Sequence, residues 1–105
     1  MTPSWADAIR DPSNEMFVSA ASVWESELKK RSRKLTFTST LIQVSVENGF
    51  TLLDISPADG SLAGSLDWDH KDPFDRMLIA QASERNLTVI TADDAMRSAP
   101  GVRFL

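Results

Sequence analysis

The 105-residue chain contains no cysteine, which excludes disulfides, thiolate metal sites and cysteine nucleophiles and favours the cytoplasm as its compartment. No apolar run approaches the roughly 20 residues of a membrane span, and Met1-Thr2-Pro3-Ser4 does not open as a signal peptide. Repeats, low-complexity tracts and linkers are absent too, which points to a single domain over residues 1–105. Basic residues are in deficit, 11 Lys and Arg against 15 Asp and Glu, for a net charge of -4. That balance excludes a simple basic coat for nucleic acid. It leaves room for an enzyme whose acidic site is neutralised by its own metal.

A hydrophobic content of 42% and a charged content of 25% are those of an ordinary globular protein. At this length one core can bury roughly two-thirds of the unfolded chain's surface. Trp5 to Arg10 reads as a short helix stopped by the turn Asp11-Pro12-Ser13-Asn14, and Met16 to Ser19 as a short strand. Ala20 to about Arg31 is helical, with Val23, Trp24 and Leu28 on one face and Ser22, Glu25 and Lys29 on another. A helix is expected from about Thr38 to Asn48 with Gly49 following it, then a strand from Thr51 to Ile55. Ser56-Pro57-Ala58-Asp59 opens a helix by rule: serine cap, proline at the first position, acid at the third. Pro73 to Arg85 is the clearest helix and ends at Asn86; Leu87 to Thr91 and Val102 to Leu105 read as strands. Strands alternating with helices predict parallel β-α units in an α/β sandwich, with the active crevice at the carboxyl ends of the strands.

Three acids are placed to meet there. Glu25 lies in the second turn of its helix, Asp75 in the first turn of its own, and Asp93 just past the strand Leu87–Thr91. Hard divalent cations such as Mg²⁺ or Mn²⁺ take oxygen ligands from a few carboxylates and water, so convergence of these side chains would make a metal site. Each acid also has a plainer reading. Asp72 and Asp75 fit a helix cap, Glu25 can pair with Lys29, and Asp93 with Asp94 can cap a turn ahead of Ala95. His70, the only histidine, is more often a bystander in such a loop than a ligand. Trp5, Trp24 and Trp68 are most economically packing residues. The run Lys29-Lys30-Arg31-Ser32-Arg33-Lys34 usually marks a solvated helix end and less often a phosphate contact, a role also open to Arg76.

Taken in order, Phe17-Val18-Ser19-Ala20-Ala21-Ser22-Val23-Trp24-Glu25, then Asp72-Pro73-Phe74-Asp75-Arg76-Met77-Leu78-Ile79-Ala80-Gln81-Ala82, then Leu87-Thr88-Val89-Ile90-Thr91-Ala92-Asp93 resemble the PIN-domain family. The resemblance is closest to the VapC-like ribonuclease toxins of type II toxin–antitoxin modules. It implies an α/β/α sandwich with a mostly parallel sheet. It also implies an acidic cluster that binds Mg²⁺ or Mn²⁺ and cleaves RNA, with Glu25, Asp75 and Asp93 as the second, third and fourth acids. A cognate antitoxin and a homodimer are the partners that it implies.

The family's first acid, at the end of a central first strand, has no counterpart in this sequence. By the resemblance, an N-terminal strand is absent from the middle of the sheet. The strands at Phe17 and Val89 would then carry unpaired edges, and three carboxylates would hold the ion poorly. The leading expectation is a metal-dependent endoribonuclease toxin, impaired in this form. The alternative is a non-catalytic PIN-like remnant that binds an antitoxin or a second subunit. A phosphoacceptor receiver is disfavoured, because no lysine follows Lys71.

Overall fold

Capping chemistry sets most of the helix boundaries in the computed structural model, which describes residues 3–32 and 39–105. In chain order the elements are α1 (Pro3–Arg10), β1 (Phe17–Ser19), α2 (Ala20–Ser32), α3 (Leu41–Glu47), β2 (Thr51–Leu53), α4 (Pro57–Ser65), α5 (Pro73–Arg85) and β3 (Thr88–Val89), followed by a 3-10 helix (Asp94–Ser98) and β4 (Arg103–Phe104). Ser56 and Asp59 form a reciprocal capping box at α4. Asn86 ends α5 in the left-handed region at φ 54°, a conformation asparagine tolerates better than most residues. Helix α3 begins later than expected: Thr40 is its cap, with Gln43 answering in a second capping box, and Thr38 lies outside the described residues.

Helix α5 organises the rest. Ile79, Ala80, Gln81 and Ala82 are four consecutive buried residues, so the middle of the helix is enclosed on every side. It packs against α4, α2 and β3. Ile79 joins Met96 and Ala99 in the buried core, with Leu66, Trp68, Leu78, Val89, Val102 and Phe104 packed around them. On its other side Gln81 receives a hydrogen bond from Ser19 Oγ at 2.5 Å, tying α5 to the end of β1.

The strands are parallel, as the alternating pattern predicts, but among the described residues they form two separate pairs. Strand β1 pairs with β2, Phe17 opposite Thr51, and β3 pairs with β4, Thr88 opposite Arg103. The strands are also shorter than the apolar runs suggest: of Leu87–Thr91, only Thr88 and Val89 are in the ladder. An apolar run determines what must be buried, but a ladder lasts only as long as its neighbour supplies hydrogen bonds. Trp24 and Leu28 are only partly packed. They are 60% and 43% exposed, and Ile42, Val44 and Val46 of α3 are exposed as well.

Candidate active site

The entrance to α5 is held by a dense set of hydrogen bonds. Asp72 accepts hydrogen bonds from the backbone N–H groups of Phe74 (2.9 Å) and Asp75 (3.3 Å), and Pro73 occupies the first helical position, where no N–H is needed. This cap is the one expected for Asp72, and caps of this kind contribute about 1 kcal/mol. Asp75, whose side chain is 14% exposed, does not complete a capping box. Its Oδ2 instead lies 2.7 Å from His70 Nε2. The His70 ring stacks on Trp68 at 4.5 Å between centroids, and the Trp68 indole N–H donates to Ser98 Oγ. His70 is thus a partner of the candidate acid and not a bystander. Its position two residues ahead of the helix cap was the available signal.

Arg76 holds this loop in place. Its guanidinium donates to four backbone carbonyls: Ala63 (2.9 Å), Leu66 (2.8 Å), Trp68 (2.6 Å) and His70 (3.0 Å). A segment without regular structure must find donors for its carbonyls, and the planar fork of an arginine supplies several at once. Arg76 is therefore a clamp on the 63–70 backbone and not the exposed nucleic-acid or partner contact that the sequence suggests.

The other two acids are engaged elsewhere. Glu25 lies 3.6 Å from Lys29 Nζ across one turn of α2. Asp93 caps the 3-10 helix, accepting from Ala95 N–H at 2.9 Å while its own N–H donates to Thr91 Oγ1. Both contacts match the plainer readings of these residues. Helices α2 and α5 nevertheless meet at a telling point: the rings of Trp24 and Phe74 pack edge to face, 4.8 Å apart. Glu25 and Asp75 are each the next residue after a member of that contact. A groove of about 590 Å³ lies between the loop before α5 and the 3-10 helix, lined by Asp67, Trp68, Asp69, His70, Ala95 and Ser98. It thus brings together His70, which is bonded to Asp75, and the helix that Asp93 caps.

Residues 3–102 match the family described as PIN domain. The chain belongs to the PIN-domain family. Its α/β architecture with parallel strands and flanking helices is that of a PIN domain, and nuclease-type chemistry is the function the family generally carries. No curated protein matches the chain. PIN domains typically use divalent metal ions. The arrangement here does not fit one: among the described residues no three histidine or carboxylate side chains are grouped so as to hold a cation. Among those residues, too, no helix is long and apolar enough to cross a membrane.

Proposed function

We propose that this PIN domain is an endoribonuclease of the VapC-like toxin type, dependent on Mg²⁺ or Mn²⁺, with Glu25, Asp75 and Asp93 as its acidic residues. The observation that carries the reading is the placement of Asp75 in the first turn of a capped helix, bonded to His70, which lines the groove between the loop before α5 and the 3-10 helix. The reading expects one further strand that unites the sheet and brings another carboxylate to the crevice, because the described strands form two parallel pairs that do not join. A strand at that place would have to be supplied by residues other than those described here. In the arrangement described here, Asp75 is bonded to His70 and Asp93 caps the 3-10 helix. A cytoplasmic homodimer held in check by a cognate antitoxin belongs to the same proposal, as does its RNA substrate.

The test is cleavage of RNA with Mg²⁺ by the chain joined to whatever reading frame lies directly upstream. Cleavage that stops on chelation and falls about a hundredfold or more in Asp75→Asn is the expected result. A lengthened protein that cuts no RNA in any divalent metal would overturn the reading. The ungrouped carboxylates favour a second reading, a non-catalytic module that binds an antitoxin or another subunit. Stable co-purification with a small antitoxin, without nuclease activity, would select it.

A further inference from the structure

Trp24 is 60% exposed, whereas Trp5 and Trp68 are half-buried and donate their indole N–H groups to Leu105 O and Ser98 Oγ. The solvated indole is held by its edge-to-face contact with Phe74. A large apolar ring presented to water in a fixed orientation is a surface for something flat. The same helix ends in Lys29, Lys30 and Arg31. At about 1.5 Å of rise per residue, these cations lie roughly 7 to 11 Å along the axis from Trp24. Cations at a helix end need no ligand to explain them, since they suit the dipole. The exposed indole is not accounted for in that way. An aromatic platform followed by positive charge is the combination that single-stranded nucleic acid requires, one part for a base and the other for the backbone.

We propose that the outer side of α2, Trp24 with Arg31 two turns on, binds single-stranded RNA, one base stacking on the indole and the phosphate beyond it meeting the guanidinium. The proposal rests on the ribonuclease reading and locates where the substrate approaches it: Trp24 immediately precedes Glu25, and its partner Phe74 immediately precedes Asp75. Lys29 is already paired with Glu25, and Lys30 falls about 120° around the helix from Trp24 whereas Arg31 falls about 20° from it, which leaves Arg31 as the phosphate contact.

The experiment is fluorescence anisotropy of a labelled 12-nucleotide single-stranded RNA, titrated with the full chain in EDTA so that no cleavage intervenes. Trp24→Ala should weaken binding about tenfold, and Trp24→Phe should retain most of it. Arg31→Ala should lower the slope of log affinity against log salt by about 0.7. Circular dichroism shows whether each variant keeps its fold, and Trp24→Gln serves if the alanine variant does not. Unchanged affinity in folded Trp24 variants would overturn the proposal, as would a parent chain that binds no RNA. A dimer that becomes monomeric in Trp24→Ala at unchanged RNA affinity would also overturn it, assigning the face to a second copy. RNA binding through Trp24 by a lengthened protein that never cleaves would defeat the nuclease reading alone. Cleavage indifferent to Trp24 would defeat only this one.

Discussion

Asp59→Ala is expected to destabilise the domain by about 3 kcal/mol, lowering the thermal midpoint by roughly 15 °C. Asp59 is 1% exposed and its carboxylate is surrounded by donors. Arg85 binds both oxygens, Nη1 to Oδ1 at 2.9 Å and Nη2 to Oδ2 at 3.0 Å. Ser56 N–H and Gln81 Nε2 donate to Oδ2 as well, and Gln81 also reaches Asp54 O and Ser19 Oγ. One carboxylate thus closes the cap of α4, anchors α4 to α5, and shares a network with the end of β1. Removing it strands the donors that face it, which costs more than the net worth of the pair. Arg85 keeps the penalty near the lower end of the range for buried pairs, because its 30% exposed side chain can turn toward water.

The same carboxylate makes stability depend on pH. The hydrogen bonds from Arg85, opposed by burial and reinforced by Ser56 and Gln81, hold the Asp59 carboxyl well below the usual carboxylate range. A group depressed in the folded state binds its proton more readily when the chain unfolds, at about pH 3.9. Its contribution is therefore complete above that pH and is lost progressively as pH falls below it. Denaturant melts from pH 7 to pH 3 should show the wild type losing stability at the acid end. Asp59→Asn, already weakened at neutral pH, should lose less over the same interval. Equal acid sensitivity of the two proteins would show that other carboxylates dominate.

Arg76→Ala is the second large effect, about 3 kcal/mol with a local signature. Four carbonyls between Ala63 and His70 lose their donor together, and unmade hydrogen bonds in a partly buried loop cost more than made ones gain. The loop should release before the rest of the domain unfolds, freeing His70 from Asp75 and Trp68 from Ser98. Hydrogen exchange over residues 66–72 should rise well above that of the α5 interior. Arg76→Lys should rescue little, because an ammonium is a point donor and cannot span carbonyls set around a planar fork. Full rescue by lysine would show that charge alone, and not the fork, holds the loop.

The parts of this fold that could be read in the sequence are those governed by residues close together in the chain. Ser56-Pro57-Ala58-Asp59 and Asp72-Pro73 state where helices begin, and Asn86 states where α5 ends, because caps are local chemistry. Strand lengths were less legible. Thr51 to Ile55 carries the composition of a strand, yet pairing stops at Leu53, where β1 ends. The ties that hold the domain together were not legible at all: Asp59 with Arg85 spans 26 residues, and Ser19 with Gln81 spans 62. Neither hydrophobic periodicity nor propensity records which arginine meets which aspartate. Trp24 shows the same limit from the other direction. Its spacing with Leu28 marks an apolar stripe, but exposure depends on whether another element covers that stripe.

At the candidate site, the segment around Asp75 was legible because a proline and two acids bracket a helix start. The arrangement of the three acids was not. Glu25, Asp75 and Asp93 come from two helices and a strand end, so their meeting depends on how the strand pairs sit together. Asp75 turns to His70 here, and no sequence rule chooses between that imidazole and a cation.

The most direct measurement is Mn²⁺ binding followed by electron paramagnetic resonance, for this chain alone and for the chain joined to any in-frame segment encoded directly upstream. Weak, Asp75-independent binding is expected for the chain alone. Stoichiometric binding, lost in Asp75→Asn, is expected for the lengthened protein. Equally weak binding by both, untouched by that substitution, would contradict the metal-dependent reading.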